Sequence, residues 1–328
     1  MKDVLRIVVF LTLISTVVSA EPLPSGSPES VGLSSERLAR IVPVMQAYVD
    51  AGHVSGITTA VVRRGKIAHL ESVGLRDIER KLPMKRDTIF RIYSMSKPIT
   101  TVAAMILYEE GKFELREPVA QFLPQFKDVR VYKSGSVDSL VLEKPGRSMR
   151  VHDLMRHTSG LMYGWGKTPV DSLYKAAKIW DRELTLEQFG DRIAGLPLRF
   201  EPGEKWAYGV SIDILGLLVE VVSGQPFEDF LQERIFAPLG MVDTGFYVPA
   251  GKLDRFATYY RWRDEELKPV DERDPPRYTL PPKAPSGGGG LVSRVDDYLR
   301  FAQMILNGGE LDGRRILGPS TIRYMLRD

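Results

Sequence analysis

The chain has 328 residues, with 45 Lys and Arg against 42 Asp and Glu, a formal charge of +3 and no cysteine. A hydrophobic share of 43% and a charged share of 27% exclude wholesale disorder, and a small charge with no Lys/Arg stripe excludes a nucleic-acid footprint. The absence of cysteine excludes disulfides, thiolate nucleophiles and zinc–cysteine sites, and four histidines without an HExxH pattern give no sign of a metal centre.

Residues 1–20 read as a secretory signal peptide. Lys2 and Arg6 flank the start, Ile7 to Val18 is a nearly unbroken apolar run, and Val18-Ser19-Ala20 is a small-residue cleavage site. The run is too short for a bilayer span, which takes about 20 residues. The expectation is cleavage after Ala20, no stable membrane anchor afterwards, and a bacterial periplasmic or secreted protein.

Ser35 to Asp50 has helical periodicity, with Leu38, Ile41, Val42, Met45 and Val49 on one face and Pro43 set to kink it or delay its start. Gly56 to Arg63 and Lys66 to Val73 are β-rich runs joined at Arg64-Gly65, a hairpin signal. Ile99 to Leu107 is apolar around its circumference and reads as a buried helix. Ile212 to Val222 reads as a second wholly apolar helix, closed by Ser223-Gly224. Pro269, Pro275, Pro276, Pro281, Pro282 and Pro285 make a stiff crossing into Gly287 to Gly290. Ser293 with Asp296 reads as a capping box for a helix running to Asn307, and a last short helix begins near Pro319. The fold class is α/β. Residues 21–111 form the first part of the α/β domain, 112–285 a mainly helical lobe, and 286–328 a return to the first domain.

Chemistry is confined by what is missing: there is no G-x-S-x-G elbow, no P-loop and no G-x-G-x-x-G after a strand. The S-x-x-K pattern occurs twice. Ser172 to Lys175 lies in a polar amphipathic stretch and reads as a surface helix, whereas Ser94-Met95-Ser96-Lys97 opens directly onto the buried helix. Three residues apart in a first turn, Ser94 and Lys97 share a face. A lysine held against an apolar helix can act as a base toward a serine that is otherwise a poor nucleophile. Tyr208 sits one short loop before the second buried helix, where a phenol near an ammonium is a candidate general base.

These residues resemble the serine β-lactamase-related hydrolases: class C β-lactamases, DD-peptidases and especially the family VIII carboxylesterases. The resemblance rests on Phe90 through Thr100, His157-Thr158-Ser159-Gly160-Leu161, Pro202-Gly203 through Tyr208, and Ser286 through Ser293, in that order. It implies a β-lactamase/DD-peptidase-like fold, with an antiparallel sheet flanked by helices and an all-helical lobe. It also implies Ser94 as nucleophile, Lys97 as its partner and Tyr208 as base, with no cofactor. Val210 stands where the lactamase Y-x-N motif has Asn, which suits an esterase. The family's third motif (K-T-G, H-x-G or W-x-G) does not follow Ser293, and Gly166-Lys167-Thr168-Pro169 is a near miss that reads as a loop. The expectation is therefore a truncated chain lacking its C-terminal strands. An oxyanion hole reduced to the Ser94 N–H loses roughly 10²–10³ in rate. Three functions fit: hydrolysis of a small-molecule ester, β-lactamase or DD-peptidase action on an amide, and an impaired acyl- or peptidoglycan-binding domain.

Overall fold

The computed structural model describes residues 21–270 and 278–327. The leader expected at 1–20, and Pro275 and Pro276 of the crossing, lie outside the described residues. Among the described residues no helix is long and apolar enough to cross a membrane.

The helix expected over Ser35–Asp50 forms as two pieces, α1 (Ser35–Ala39) and α2 (Ile41–Asp50), broken at Arg40. Proline has no N–H to donate, and Pro43 falls in the first turn of α2, where none is required. Leu38, Ile41, Val42, Met45 and Val49 are half-buried, and α2 leans on the following sheet. That sheet starts with β1 (Gly56–Arg63) and β2 (Lys66–Asp77), antiparallel with Ala60 opposite Leu70. Arg64 and Gly65 both take positive φ, 52° and 73°, the mirror-image turn whose twist matches the strands it joins. β2 runs past Val73 to Asp77 and pairs with β3 (Leu82–Pro83), giving a three-stranded antiparallel sheet in the order β1-β2-β3.

After β4 (Phe90–Arg91) the chain enters α3 (Ser96–Glu109). The segment as far as Pro285 contributes β5 (Val131–Ser134), β6 (Val141–Glu143), α4 (Val151–Met155), α5 (Pro169–Ala176) and α6 (Leu186–Ala194). It continues with α7 (Ser211–Ser223), α8 (Phe227–Leu231), α9 (Ala237–Leu239), β7 (Tyr260–Arg263) and β8 (Glu266–Pro269). Two short hairpins, β5–β6 and β7–β8, thus interrupt the helices. The core gathers on α7, which packs against α3, α4, α6 and α8, and Ile214, Leu215, Leu218 and Val219 are fully buried.

The chain returns through β9 (Val292–Ser293), which pairs antiparallel with β4, Phe90 opposite Ser293 and Arg91 opposite Val292. It ends with α10 (Val295–Leu306), the hairpin β10 (Glu310–Leu311) and β11 (Arg314–Arg315), and α11 (Pro319–Met325). The expected Ser293–Asp296 capping box does not form, because α10 takes Arg294 as its N-cap. Both side chains are engaged elsewhere: the Ser293 hydroxyl bonds Thr244 at 2.8 Å, and the Asp296 carboxylate accepts two bonds from Arg86 at 2.6 and 2.8 Å.

Leu218→Ala removes a fully buried side chain from the helix that four others touch, and the expected cost is about 2–5 kcal/mol of unfolding free energy. Urea denaturation checks it; an unchanged midpoint would contradict a core centred on α7.

Candidate active site

The pairing of β4 with β9 sets the Gly-rich block beside the start of α3. The Ile92 N–H donates to the Leu291 carbonyl at 3.0 Å, and a 3-10 turn over Tyr93–Met95 follows. Tyr93 has φ of 42°, a left-handed conformation rare for a bulky residue and a place where strain is held by its surroundings. Ser96 supplies that restraint: its hydroxyl donates to the Tyr93 carbonyl at 2.6 Å and accepts the Leu291 N–H at 3.2 Å. Ser94 is therefore exposed on a tight turn, and Lys97 and Pro98 fall in the first turn of α3.

The three residues singled out in the sequence meet at one oxygen. The Lys97 ammonium donates to Ser94 Oγ at 3.2 Å, and the Tyr208 hydroxyl donates to the same atom at 2.6 Å. Lys97 Nζ also donates to the Gly288 carbonyl at 2.5 Å and lies 4.5 Å from the centre of the Tyr208 ring. Ser172 and Lys175 take no part. Ser172 is exposed on α5, its hydroxyl turned to the Thr168 carbonyl. Within Gly166–Pro169, Thr168 serves as the N-cap of α5.

Three further residues complete the arrangement, and no sequence motif marks a role for them. Gly288 uses both its backbone groups, the carbonyl toward Lys97 and the N–H toward Asp213 Oδ1 at 3.1 Å. Asp213 is 1% exposed, and the same Oδ1 accepts the Ser286 hydroxyl at 2.5 Å. Burial raises its carboxyl above the ordinary carboxylate range, against the opposing pull of Ser286, Gly288 and the charge on Lys97. A side chain on Gly288 would stand 2.4 Å from Asp213 Oδ2, so only glycine fits. The helix expected to be wholly apolar thus carries a buried carboxylate. The signal was present as Asp213, one of two acids (with Glu220) inside an otherwise apolar helical run.

His157 is the third. Its carbonyl accepts the Ala207 N–H at 3.0 Å and its Nδ1 accepts the Gly209 N–H at 3.4 Å, so it grips the residues on either side of Tyr208. Its ring centre lies 4.8 Å from that of Tyr208. Burial, aided by the nearby Lys97 charge, pushes the imidazole down to about 4, which keeps Nδ1 free to accept. Gly209 closes the loop, since a Cβ there would lie 2.0 Å from the Leu161 carbonyl. An apolar recess of about 420 Å3 opens beside Lys97 and Tyr208, walled by Met155, Trp206, Phe301 and Ile305 among others. Among the described residues no group of His, Asp and Glu could hold a metal ion.

A family model described as Beta-lactamase matches residues 41–326. An uncharacterised protein of Mycobacterium tuberculosis is 39% identical over 284 residues, covering 85% of this chain and 69% of its own. Esterase EstB of Burkholderia gladioli is 33% identical over 300 residues, covering 85% of this chain and 72% of its own. Among solved structures, EstCE1, described as a hydrolase with promiscuous acyltransferase activity, superposes with a TM-score of 0.75 at 30% identity, covering 88% of this chain and 76% of that one.

Two outcomes follow from the supporting residues. Asp213→Ala leaves the Gly288 N–H and the Ser286 hydroxyl without a buried acceptor, and the expected loss is about 1–3 kcal/mol of stability. A thermal or urea titration checks it. His157, at about 6.5 when unfolded and about 4 when folded, makes the unfolded chain bind the extra proton between those values. Its contribution to stability is complete above about 6.5 and declines as pH falls toward 4. Unfolding free energies measured across that window should show a positive slope with pH, and His157→Phe should flatten it.

Proposed function

The chain belongs to the beta-lactamase family, and from that premise we propose that it is an exported serine hydrolase. Its substrates are small carboxylic esters, cleaved through an acyl-serine at Ser94. The observation that carries this reading is the convergence of Tyr208 and Lys97 on Ser94 Oγ, at 2.6 and 3.2 Å. Both lie within the reach required for proton transfer.

The steps then follow from the residues. Acting as the phenolate beside the Lys97 ammonium, Tyr208 takes the proton of Ser94 while Oγ bonds to the ester carbon, and the positive charge of Lys97 offsets the negative charge as it passes to the tetrahedral oxyanion. The tetrahedral adduct collapses as the carbon–alkoxide bond breaks, and Tyr208 returns its proton to the departing alcohol. Water then gives a proton to Tyr208 as it attacks the acyl carbon, the carbon–Oγ bond breaks, Tyr208 returns the proton to Ser94 Oγ, and the acid is released. The oxyanion develops beside the start of α3, which carries no side-chain cap and whose N-terminal end favours negative charge.

An ester is favoured over a β-lactam by three observations. Val210 replaces the asparagine of the lactamase motif and is fully buried, so it offers the cleft no amide. The recess beside Lys97 and Tyr208 is apolar and matches a short acyl chain. The similar proteins include one named an esterase and one named a hydrolase. Export is supported by the leader-like pattern of residues 1–20.

Hydrolysis of p-nitrophenyl butyrate should be abolished by Ser94→Ala and reduced by roughly 10²–10⁴ in Tyr208→Phe, the contribution of a general base. Unchanged hydrolysis in Ser94→Ala would refute the proposal. Faster turnover of a chromogenic cephalosporin than of the ester would move the assignment to a β-lactamase.

A further inference from the structure

Three of the four tryptophans in the chain gather around one edge of the site: Trp165, Trp180 and Trp206. Trp165 is 72% exposed, an unusual state for so large an apolar ring. Its exposure is not disorder of position, because it stacks flat on Tyr163 with centres 4.2 Å apart and planes 12° apart. Trp180 stacks on the same Tyr163 at 5.7 Å. Tyr163 in turn meets Tyr208 edge-on at 5.4 Å, and Lys97 Nζ lies 5.9 Å from its ring centre. An unbroken aromatic series therefore runs outward from the serine's hydrogen-bond partners to Trp165 and Trp180. These rings wall a recess of about 760 Å3, within the size range of small-molecule sites.

The rim of this recess is charged. Lys175 and Lys178 line it, both exposed, and neither ammonium has an ion-pair or hydrogen-bond partner among the described residues. Asp181, also in the lining, lies 3.7 Å from Arg192, which offsets its charge. The recess thus offers flat π-faces on its walls and uncompensated positive charge at its mouth.

We propose that this recess is a substrate subsite for a flat aromatic or fused-ring group bearing a carboxylate, one half of the ester that Ser94 cleaves. The inference rests on the esterase reading and adds a substrate class to it: anionic aryl esters. The ring stacks on Trp165, beside Tyr163 and Trp180, and its carboxylate faces Lys175 and Lys178. Losing an aromatic stacking partner weakens binding by roughly tenfold or more, and the same is expected on loss of Trp165. The lysines, being exposed, act as a sign selector and contribute less.

Binding is measured on the Ser94→Ala protein, so that the result does not depend on turnover. The probes are 2-naphthoate, the neutral 2-naphthalenemethanol, and cyclohexanecarboxylate, an anion without a flat ring, each followed by titration calorimetry. Naphthoate is expected to bind most tightly. Trp165→Ala should weaken both naphthyl probes by roughly tenfold, and Lys175→Gln with Lys178→Gln should weaken naphthoate while leaving the alcohol unchanged. Trp165→Leu, which keeps an apolar side chain there, should weaken them likewise. Naphthoate binding that is absent, or indifferent to Trp165→Ala and Trp165→Leu, would overturn the subsite even if ethyl butyrate is hydrolysed. Binding as expected with no ester turned over by wild type would leave the recess standing and sink the esterase reading instead.

Discussion

The hydrogen bond from Lys97 to the Gly288 carbonyl, 2.5 Å long, is the restraint around which the site is organised. A lysine side chain left to itself loses up to about 2 kcal/mol of rotamer freedom when it is held in one pose. A single bond of 3.2 Å to an exposed serine is weak compensation. The glycine carbonyl supplies the second anchor and fixes the ammonium between Ser94 and Tyr208. That carbonyl is itself held from beneath, because the N–H of the same glycine is bound to Asp213. A buried carboxylate, expensive to desolvate, is tolerated here because it accepts Ser286 and Gly288 and faces the charge of Lys97.

The larger architecture can be understood as the means of bringing these pieces together. Ser94 and Gly288 are far apart in sequence, and the short pairing of β4 with β9 sets their two segments side by side. Asp213 enters from α7, whose position is fixed by the packing of four other helices around it. Tyr208 is placed from both flanks by His157, through a carbonyl on one side and a ring nitrogen on the other. Two of the non-glycine residues with positive φ, Tyr93 at 42° and His157 at 55°, lie directly beside Ser94 and Tyr208. Such conformations persist when their surroundings over-determine them, and here each is tied to the Gly-rich block or the Tyr208 loop.

Much of this was legible in the sequence, for identifiable reasons. The meeting of Ser94 and Lys97 was readable because an S-x-x-K abutting a buried apolar helix places two side chains on one face, while the second copy at Ser172 lacked that helix. The hairpin was readable because Gly65 tolerates positive φ and the first flanking run is rich in β-branched residues. What failed depended on distant partners. Ser293 and Asp296 have the spacing of a capping box, but Thr244 and Arg86 claim their side chains. Asp213 was absorbed into an apolar helix because periodicity weighs the average of a segment and not its exception. The Asp213–Gly288 bond joins residues 75 positions apart, and no local pattern encodes it. The aromatic series from Tyr208 to Trp165 was likewise hidden, since Tyr163 and Trp180 become neighbours only through the packing that follows α5.

The central claim is that Ser94 becomes covalently acylated because Lys97 and Tyr208 converge on it. The most direct measurement is the intact mass of the protein, quenched with acid during turnover of p-nitrophenyl butyrate, followed by peptide mapping. The expected result is a mass gain of one butyryl group located at Ser94, and no such gain in Lys97→Ala. An adduct on any other residue, or an equal adduct at Ser94 in Lys97→Ala, would contradict it.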